Sequence, residues 1–137
     1  MYKDKSNKKV KRIMVDMSVS ILHNGHIRIL KKAKKLGYVI VALTTDKQIK
    51  KHKGYHSELN FNQRKEILDS IKYIDKIVPS KWLIDEKFLD LHKIDLLVHG
   101  NDNPNKISQK RLRIYKKTKN ISANKIRRKI YKNFSTS

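Results

Sequence analysis

Two histidines three residues apart, His23 and His26, are the residues of this 137-residue sequence whose type and spacing most directly suggest chemistry. They occur in the string LHNGH and come after an apolar stretch at residues 13–17. A strand that enters a helix through a short glycine-containing turn presents the free N–H groups and the positive dipole end of that helix at the edge of a sheet. Two imidazoles at that point donate hydrogen bonds into the same space. A chain of phosphates is the ligand that such donors suit.

The hydrophobic pattern predicts the elements that must position this pair. Apolar and β-branched runs predict strands, at residues 11–17, 38–43, 75–78 (ended by Pro79), 95–100 and 112–115. Apolar residues at helical spacing predict helices at residues 25–36, 61–73, 85–92 and 122–134, the last with Ser122 as its N-cap, and a short basic helix after residues 44–46. Residues 50–60, polar and rich in Lys and His, are predicted to form a loop.

Because strands alternate with helices, we expect an α/β fold with a single-domain, Rossmann-like parallel sheet and helices on both faces. Ligands of such sheets bind at the carboxyl ends of the strands, near the point where the strand order switches. The basic segment at residues 1–10 is expected to be mobile, and the domain is expected to span residues 11–134.

The sequence is strongly basic, with 34 Lys and Arg against 12 Asp and Glu, a net charge of +22. Such a charge is compatible with nucleic-acid binding, but the basic residues are spread over nearly every segment and are dense only at residues 3–12 and 110–132. We therefore predict polyanionic small ligands and no dedicated nucleic-acid partner. The absence of cysteine excludes disulfides and thiolate metal sites. No apolar run approaches the ~20 residues of a membrane helix, so a cytoplasmic protein without a membrane partner is expected.

Six segments occur in the order and at the spacing of one enzyme family: LHNGH at 22–26, VALTTD at 41–46, NQR at 62–64, IKYIDKIV at 71–78, DLLVHGND at 95–102 and KTKNIS at 117–122. In these segments the sequence resembles the cytidylyltransferase branch of the HxGH nucleotidyltransferases over about residues 11–131. The phosphonate, glycerol-3-phosphate and phosphoethanolamine cytidylyltransferases are the members it resembles most.

The resemblance implies that CMP is joined from CTP to a small phosphorylated or phosphonylated acceptor, with release of pyrophosphate. It implies His23, His26 and Lys53 as catalytic residues and Arg64 as an acceptor-binding residue. The nucleotide-binding residues that it implies are Met17, Ser18, Gly25, Gly100, Asp102, Thr118, Ile121 and Ser122. Mg²⁺ is expected to arrive with the triphosphate, without a protein metal cage, and a homodimer is expected.

Four of these residues also have a structural interpretation. Lys53 stands in a run of lysines, which is usually a solvated surface. Asp102 belongs to an Asp-Asn-Pro turn, and Ser122 caps a predicted helix. The guanidinium of Arg64 suits a phosphate or a contact between subunits.

Several positions depart from the family pattern, and they leave the function open. They are Ser20, Asn62, Asn101, Asn103, Lys117, Lys119, Asn120, Ala123 and Asn124. Since Asn tolerates positive φ best among non-glycine residues, Asn120 is predicted to preserve a left-handed turn. Two alternatives remain, an adenylyltransferase that uses ATP and a catalytically weakened relative that binds a nucleotide or RNA.

Overall fold

The computed structural model describes residues 9–135, and the predicted mobile segment at residues 1–10 therefore lies mostly outside the described residues. The strands within the described range are β1 (Arg12–Met17), β2 (Tyr38–Thr44), β3 (Lys76–Ser80), β4 (Leu96–Gly100) and β5 (Leu112–Tyr115). The helices are α1 (Asn24–Leu36), α2 (Asp46–Lys53), α3 (Phe61–Asp69), α4 (Glu86–Leu91) and α5 (Ala123–Ser135), with a 3₁₀ turn at Gln109–Arg111.

The strands form one parallel sheet in the order β3-β2-β1-β4-β5. Strand β1 is central, with Val15 aligned to Val41 of β2 on one side and to Val98 of β4 on the other. The chain winds from β1 toward β3 and then crosses to β4, so the strand order switches between β1 and β4. A crevice opens at the carboxyl ends of these two strands, which is where a ligand binds in sheets of this kind.

Both faces of the sheet are covered. Neighbouring residues of β1 face opposite ways and therefore pack in two different cores. Ile13 and Val15 pack with Leu30 and Ala33 of α1. Met14, between them, packs in the other core with Leu89 of α4 and its neighbours. The predicted α/β architecture with helices on both faces is therefore confirmed.

Three predicted boundaries were wrong. Helix α2 continues into the predicted loop as far as Lys53, where Gly54 ends it in the left-handed region at φ 80°. Helix α3 ends at Asp69, earlier than predicted. The apolar residues that follow lie in turns, and from there they pack against the core that contains Ile13 and Val15. Pro79 lies inside β3 instead of ending it, which is tolerated because β3 is an edge strand.

Candidate active site

A cavity of about 810 Å³ lies at the switch in strand order. All of the predicted catalytic and nucleotide-binding residues line it: His23, His26, Lys53, Met17, Ser18, Gly25, Gly100, Asp102, Thr118, Ile121 and Ser122. The fold thus gathers the ends of β1 and β4, the start of α1, the end of α2 and the segment before α5 around one space. Arg64 is not among its lining residues.

The two histidines form a reciprocal cap at the start of α1. Nδ1 of His23 accepts a hydrogen bond from the backbone N–H of Gly25 at 3.1 Å. Nδ1 of His26 accepts one from the backbone N–H of His23, also at 3.1 Å. The rings lie 3.9 Å apart between centroids, tilted by 33°. Since Nδ1 of each ring is an acceptor, each neutral ring carries its proton on Nε2 and can donate it to a ligand in the cavity.

The surroundings keep this pair neutral. Burial lowers the pKa of His26 to about 4, helped by the neighbouring His23 ring. Burial, and then the charge of Lys117, lowers the pKa of His23 as well. Two neutral N–H donors next to a helix N-terminus are suited to bind phosphate oxygens without a fixed positive charge of their own.

Stability should therefore fall as the pH falls from about 6.5 to about 4. In this window an unfolded chain with an ordinary His pKa of 6.5 binds a proton on residue 26 that the folded chain, with a pKa of about 4, does not bind. We expect a loss on the order of 3 kcal/mol from this residue alone. Urea unfolding at several pH values measures it.

The matched variant for that measurement is His26→Gln, because Gln at this position still accepts the cap from the backbone of His23. Its stability should depend less steeply on pH than that of the wild type between pH 6.5 and 4. Equal slopes would contradict a depressed His26 pKa.

Glycine at position 25 is required by the ring beside it. A Cβ there would lie 2.8 Å from Cε1 and 2.9 Å from Nδ1 of His23, closer than real Cβ contacts. Any side chain would push the His23 ring out of its cap. Gly25 thus fixes the orientation of the catalytic candidate rather than only permitting a turn.

The structure adds two residues to the site that sequence reasoning left unassigned, Asp16 at the end of β1 and His99 in β4. Nε2 of His99 lies 3.5 Å from Oδ2 of Asp16, and its Nδ1 lies 3.6 Å from Oδ1 of Asp102. Nζ of Lys117 donates to Oδ2 of Asp102 at 2.9 Å. Burial raises the pKa of Asp102, but the hydrogen bond and charge of Lys117 outweigh it, so the net shift is downward.

One oxygen of Asp16 has no partner among the described residues. Its Oδ2 accepts a bond from Nδ2 of Asn105 at 3.1 Å, whereas its buried Oδ1 has none. Asn105 is itself buried and fixed, since its Oδ1 accepts the backbone N–H of Ile84 at 2.7 Å. Burial raises the pKa of Asp16. Asp16 itself lines the cavity, and a carboxylate in that wall can accept a ligand O–H or N–H.

The far wall of the cavity is the segment before α5. Asn120 has φ 65°, as predicted from its tolerance of the left-handed region. The hydroxyl of Ser122 accepts the backbone N–H of Lys125 at 3.1 Å, so the predicted N-cap is confirmed. Ser122 also lines the cavity, and its two interpretations therefore coexist.

The side chain of Lys53 lies on the opposite wall, above the ring of Trp82. Its Nζ is 5.5 Å from the ring centroid. Trp82 lines the cavity too and stacks on His52 at 5.2 Å. Lys53 is therefore at the cavity rather than merely in a solvated lysine run.

Arg64 is the predicted site residue that the structure places elsewhere. Its guanidinium is fully buried and bonds within the protein, to the carbonyl oxygens of Leu59, Ser18 and Thr44 and to Oδ1 of Asp46 at 2.7 Å. With these donors occupied, it has little left for an acceptor phosphate. The geometry contradicts an acceptor-binding role and assigns Arg64 to the structure beneath the site.

Metal-binding clusters and membrane-crossing helices are both absent from residues 9–135. No group of three or more His, Asp or Glu side chains there is arranged to hold a metal ion. No helix in that range has the length and apolar character needed to cross a membrane.

Comparison with known proteins agrees with this geometry. A family model described as cytidylyltransferase-like matches residues 18–137. Glycerol-3-phosphate cytidylyltransferase of Staphylococcus aureus is 37% identical over 130 residues, which are 89% of this chain and 96% of that protein. The Bacillus subtilis enzyme of the same name is 35% identical over 88% of this chain and 98% of its own length.

Two further matches are more distant. Ethanolamine-phosphate cytidylyltransferase of Mus musculus is 33% identical over 73% of this chain and 25% of its own length. The fold is shared with a solved lipopolysaccharide core biosynthesis protein from Thermoplasma volcanium, with a TM-score of 0.61 and 23% identity over 91% of this chain and 89% of that one. On its family model and its near full-length relatives, which are named enzymes, the chain belongs to the cytidylyltransferase-like family.

Proposed function

We propose that this protein transfers CMP from CTP to a small phosphorylated acceptor and releases pyrophosphate. An oxygen of the acceptor phosphate attacks the α-phosphorus, a new P–O bond forms, and the bond to the bridging oxygen breaks, with its electron pair leaving on pyrophosphate. Because the nucleophile is already an anion, no strong general base is needed. The requirement is to stabilise negative charge on the α-phosphoryl group and the leaving group.

The observation that carries the proposal is the neutral His23–His26 pair in a strongly basic cavity. Both Nε2 protons are free of the cap and both rings line the cavity. Seven Lys and Arg residues among the described ones also line it, against two Asp. Such a lining favours a triphosphate and an acceptor phosphate side by side. We propose that Lys53 contacts one of these phosphates and that Gly100, Asp102, Thr118 and Ile121 hold the nucleoside.

Mg²⁺ fits this site as a partner of the phosphates rather than of the protein. Mg²⁺ commonly keeps several waters and binds substrate phosphates with one or two carboxylates. Asp16 and Asp102 are the acidic residues of the described cavity lining, and Asp102 is engaged by Lys117. The ion would supply charge neutralisation on the phosphates. We further propose a homodimer and a cytoplasmic location, for which analytical ultracentrifugation and cell fractionation are the direct measurements.

Glycerol 3-phosphate is the acceptor that we propose first, because the relatives acting on it match nearly their whole length. Phosphoethanolamine is the second candidate. The carboxylate of Asp16 in the cavity wall favours an acceptor that ends in a donor group, and both a hydroxyl and an ammonium meet that need.

Asp16→Asn separates the two acceptors, since it keeps the shape of the side chain and removes its charge. The KM for an acceptor with a charged ammonium should rise about tenfold or more, and the KM for an acceptor with a neutral hydroxyl only a few-fold. The difference is expected because hydrogen bonds between charged groups are the stronger ones. Pyrophosphate release is measured with CTP and each acceptor for both proteins. Unchanged KM values for both acceptors would place Asp16 away from the acceptor.

The same assay tests the function itself. We expect release of pyrophosphate with CTP and not with ATP. Activity with ATP would favour the adenylyltransferase alternative. Binding of short RNA without turnover of either nucleotide would favour the weakened relative.

A further inference from the structure

Helix α5 follows the segment that forms the far wall of the cavity, but it is anchored differently from the other helices. Within Ala123–Ser135 no side chain is buried, and large apolar residues such as Ile130 and Phe134 are 50% and 81% exposed. The helix therefore gains little from apolar packing. A specific polar contact has to set its position relative to the rest of the cavity.

That contact is made by Arg127. Its Nε donates to Oε1 of Glu58 at 2.7 Å, and its Nη2 donates to Oε2 at 3.0 Å, which is the bidentate pairing of a guanidinium and a carboxylate. Nη1 donates to Oδ1 of Asn124 at 2.9 Å, which fixes the fork on its own helix. The guanidinium also lies 5.1 Å from the centroid of the Tyr55 ring.

These contacts join two walls of the same cavity. Arg127 and Asn124 line it from α5, while Tyr55 lines it from the segment after α2. Lys53 ends α2 two residues before Tyr55, with the left-handed Gly54 between them. Glu58 and Tyr55 belong to a stretch without helix or strand that precedes α3. Arg127 thus ties the segment that carries Lys53 to the helix that follows Ser122.

We propose that Arg127 is a positioning residue that, through Glu58 and Tyr55, holds the Lys53 segment and α5 together around the bound nucleotide. Arg127 acts through its partners, since its fork is occupied by Glu58 and Asn124. An exposed ion pair adds little to global stability, so its effect is expected in nucleotide affinity rather than in unfolding. This inference rests on the proposed function, because it assumes a triphosphate between the two walls.

Three variants test the contact, with Arg127→Glu alone as the reference for the third. Arg127→Lys keeps the charge and loses the fork, Glu58→Gln keeps the shape and loses the charge, and Glu58→Arg with Arg127→Glu restores the pair in reverse. Arg128→Lys is the matched control, since Arg128 is exposed on the same helix and does not line the cavity. Trp82, the one tryptophan of the sequence, lies in the cavity wall and reports CTP binding by fluorescence without turnover.

We expect Arg127→Lys and Glu58→Gln each to raise the Kd and KM for CTP about fivefold, with kcat within twofold and the unfolding midpoint nearly unchanged. The reversed pair should bind CTP more tightly than Arg127→Glu alone. A Kd for Arg127→Lys equal to that of Arg128→Lys, or a reversed pair no better than the single reversal, would overturn the proposal.

Hydrogen exchange of the ligand-free protein keeps this test separate from the proposed function. Replacing Arg127 should speed amide exchange in residues 54–60 as well as in α5, whereas replacing Arg128 should not. Unchanged exchange in residues 54–60 would overturn the contact between the walls. Failure of the wild type to bind CTP, with this exchange pattern intact, would instead reject the proposed function.

Discussion

Replacement of either His23 or His26 is expected to lower pyrophosphate release by about a hundredfold or more, the usual cost of removing one preorganised donor to a developing oxyanion. His23→Asn retains a good N-cap residue, and His26→Gln retains the acceptor that completes the cap. Both variants remove the imidazole whose Nε2–H faces the cavity. The loss should therefore appear in kcat rather than in folding.

His56→Ala is the control for this pair, because His56 is exposed and does not line the cavity. Its rate should match the wild type. Urea unfolding of all three variants at pH 7.5 checks that the fold is intact. Near-normal turnover of either His23→Asn or His26→Gln would show that the rings do not stabilise the transition state.

The second large effect is expected for stability. Arg64→Met should destabilise the protein by about 3–5 kcal/mol, since it leaves three carbonyl oxygens without their donor and removes the ion pair with the half-exposed Asp46. The side chain of Arg64 is 0% exposed and that of its partner Asp46 is 47% exposed. Equilibrium unfolding in urea measures the difference, and the folded fraction should bind the acceptor with an unchanged KM.

Lys65→Met provides the matched control on the neighbouring residue. Lys65 pairs with Asp69 at 3.3 Å on the open surface of α3, so its loss should cost less than about 0.5 kcal/mol. A large rise in acceptor KM for Arg64→Met, with little loss of stability, would restore the acceptor-binding role that the sequence suggested.

Local signals in the sequence were enough for most elements of the fold. The β-branched run of β2, the apolar spacing of α1 and the hydroxyl of Ser122 each act within a few residues, and each was predicted within a residue or two. The end of β3 was missed because the place of the strand in the sheet decides it. Pro79 stays in a strand because of its place at the edge of the sheet, which local sequence does not show.

The site was predictable where its residues follow one another and not where they meet across the fold. His23 and His26 are three residues apart, and their cap is local. Asp16 and His99 become neighbours only when β1 pairs with β4, so neither signals the other in the sequence. Arg64, by contrast, was predicted to bind a ligand and instead binds the protein itself. Its partners include the backbone oxygens of Ser18 and Thr44, and backbone atoms give no signal in the residue types of a sequence.

The strand order has a consequence for how the chain is made. Strand β1 emerges from the ribosome first, yet its neighbour β4 and the segment before α5 are synthesised late. A nascent polypeptide therefore carries the imidazoles of His23 and His26 long before β4 and the segment before α5 complete the crevice. Since a ligand stabilises only the form that binds it, a nucleotide in this crevice can protect finished molecules and not truncated ones. In a cell extract, resistance to proteolysis gained on adding nucleotide would then distinguish completed polypeptides from prematurely terminated ones.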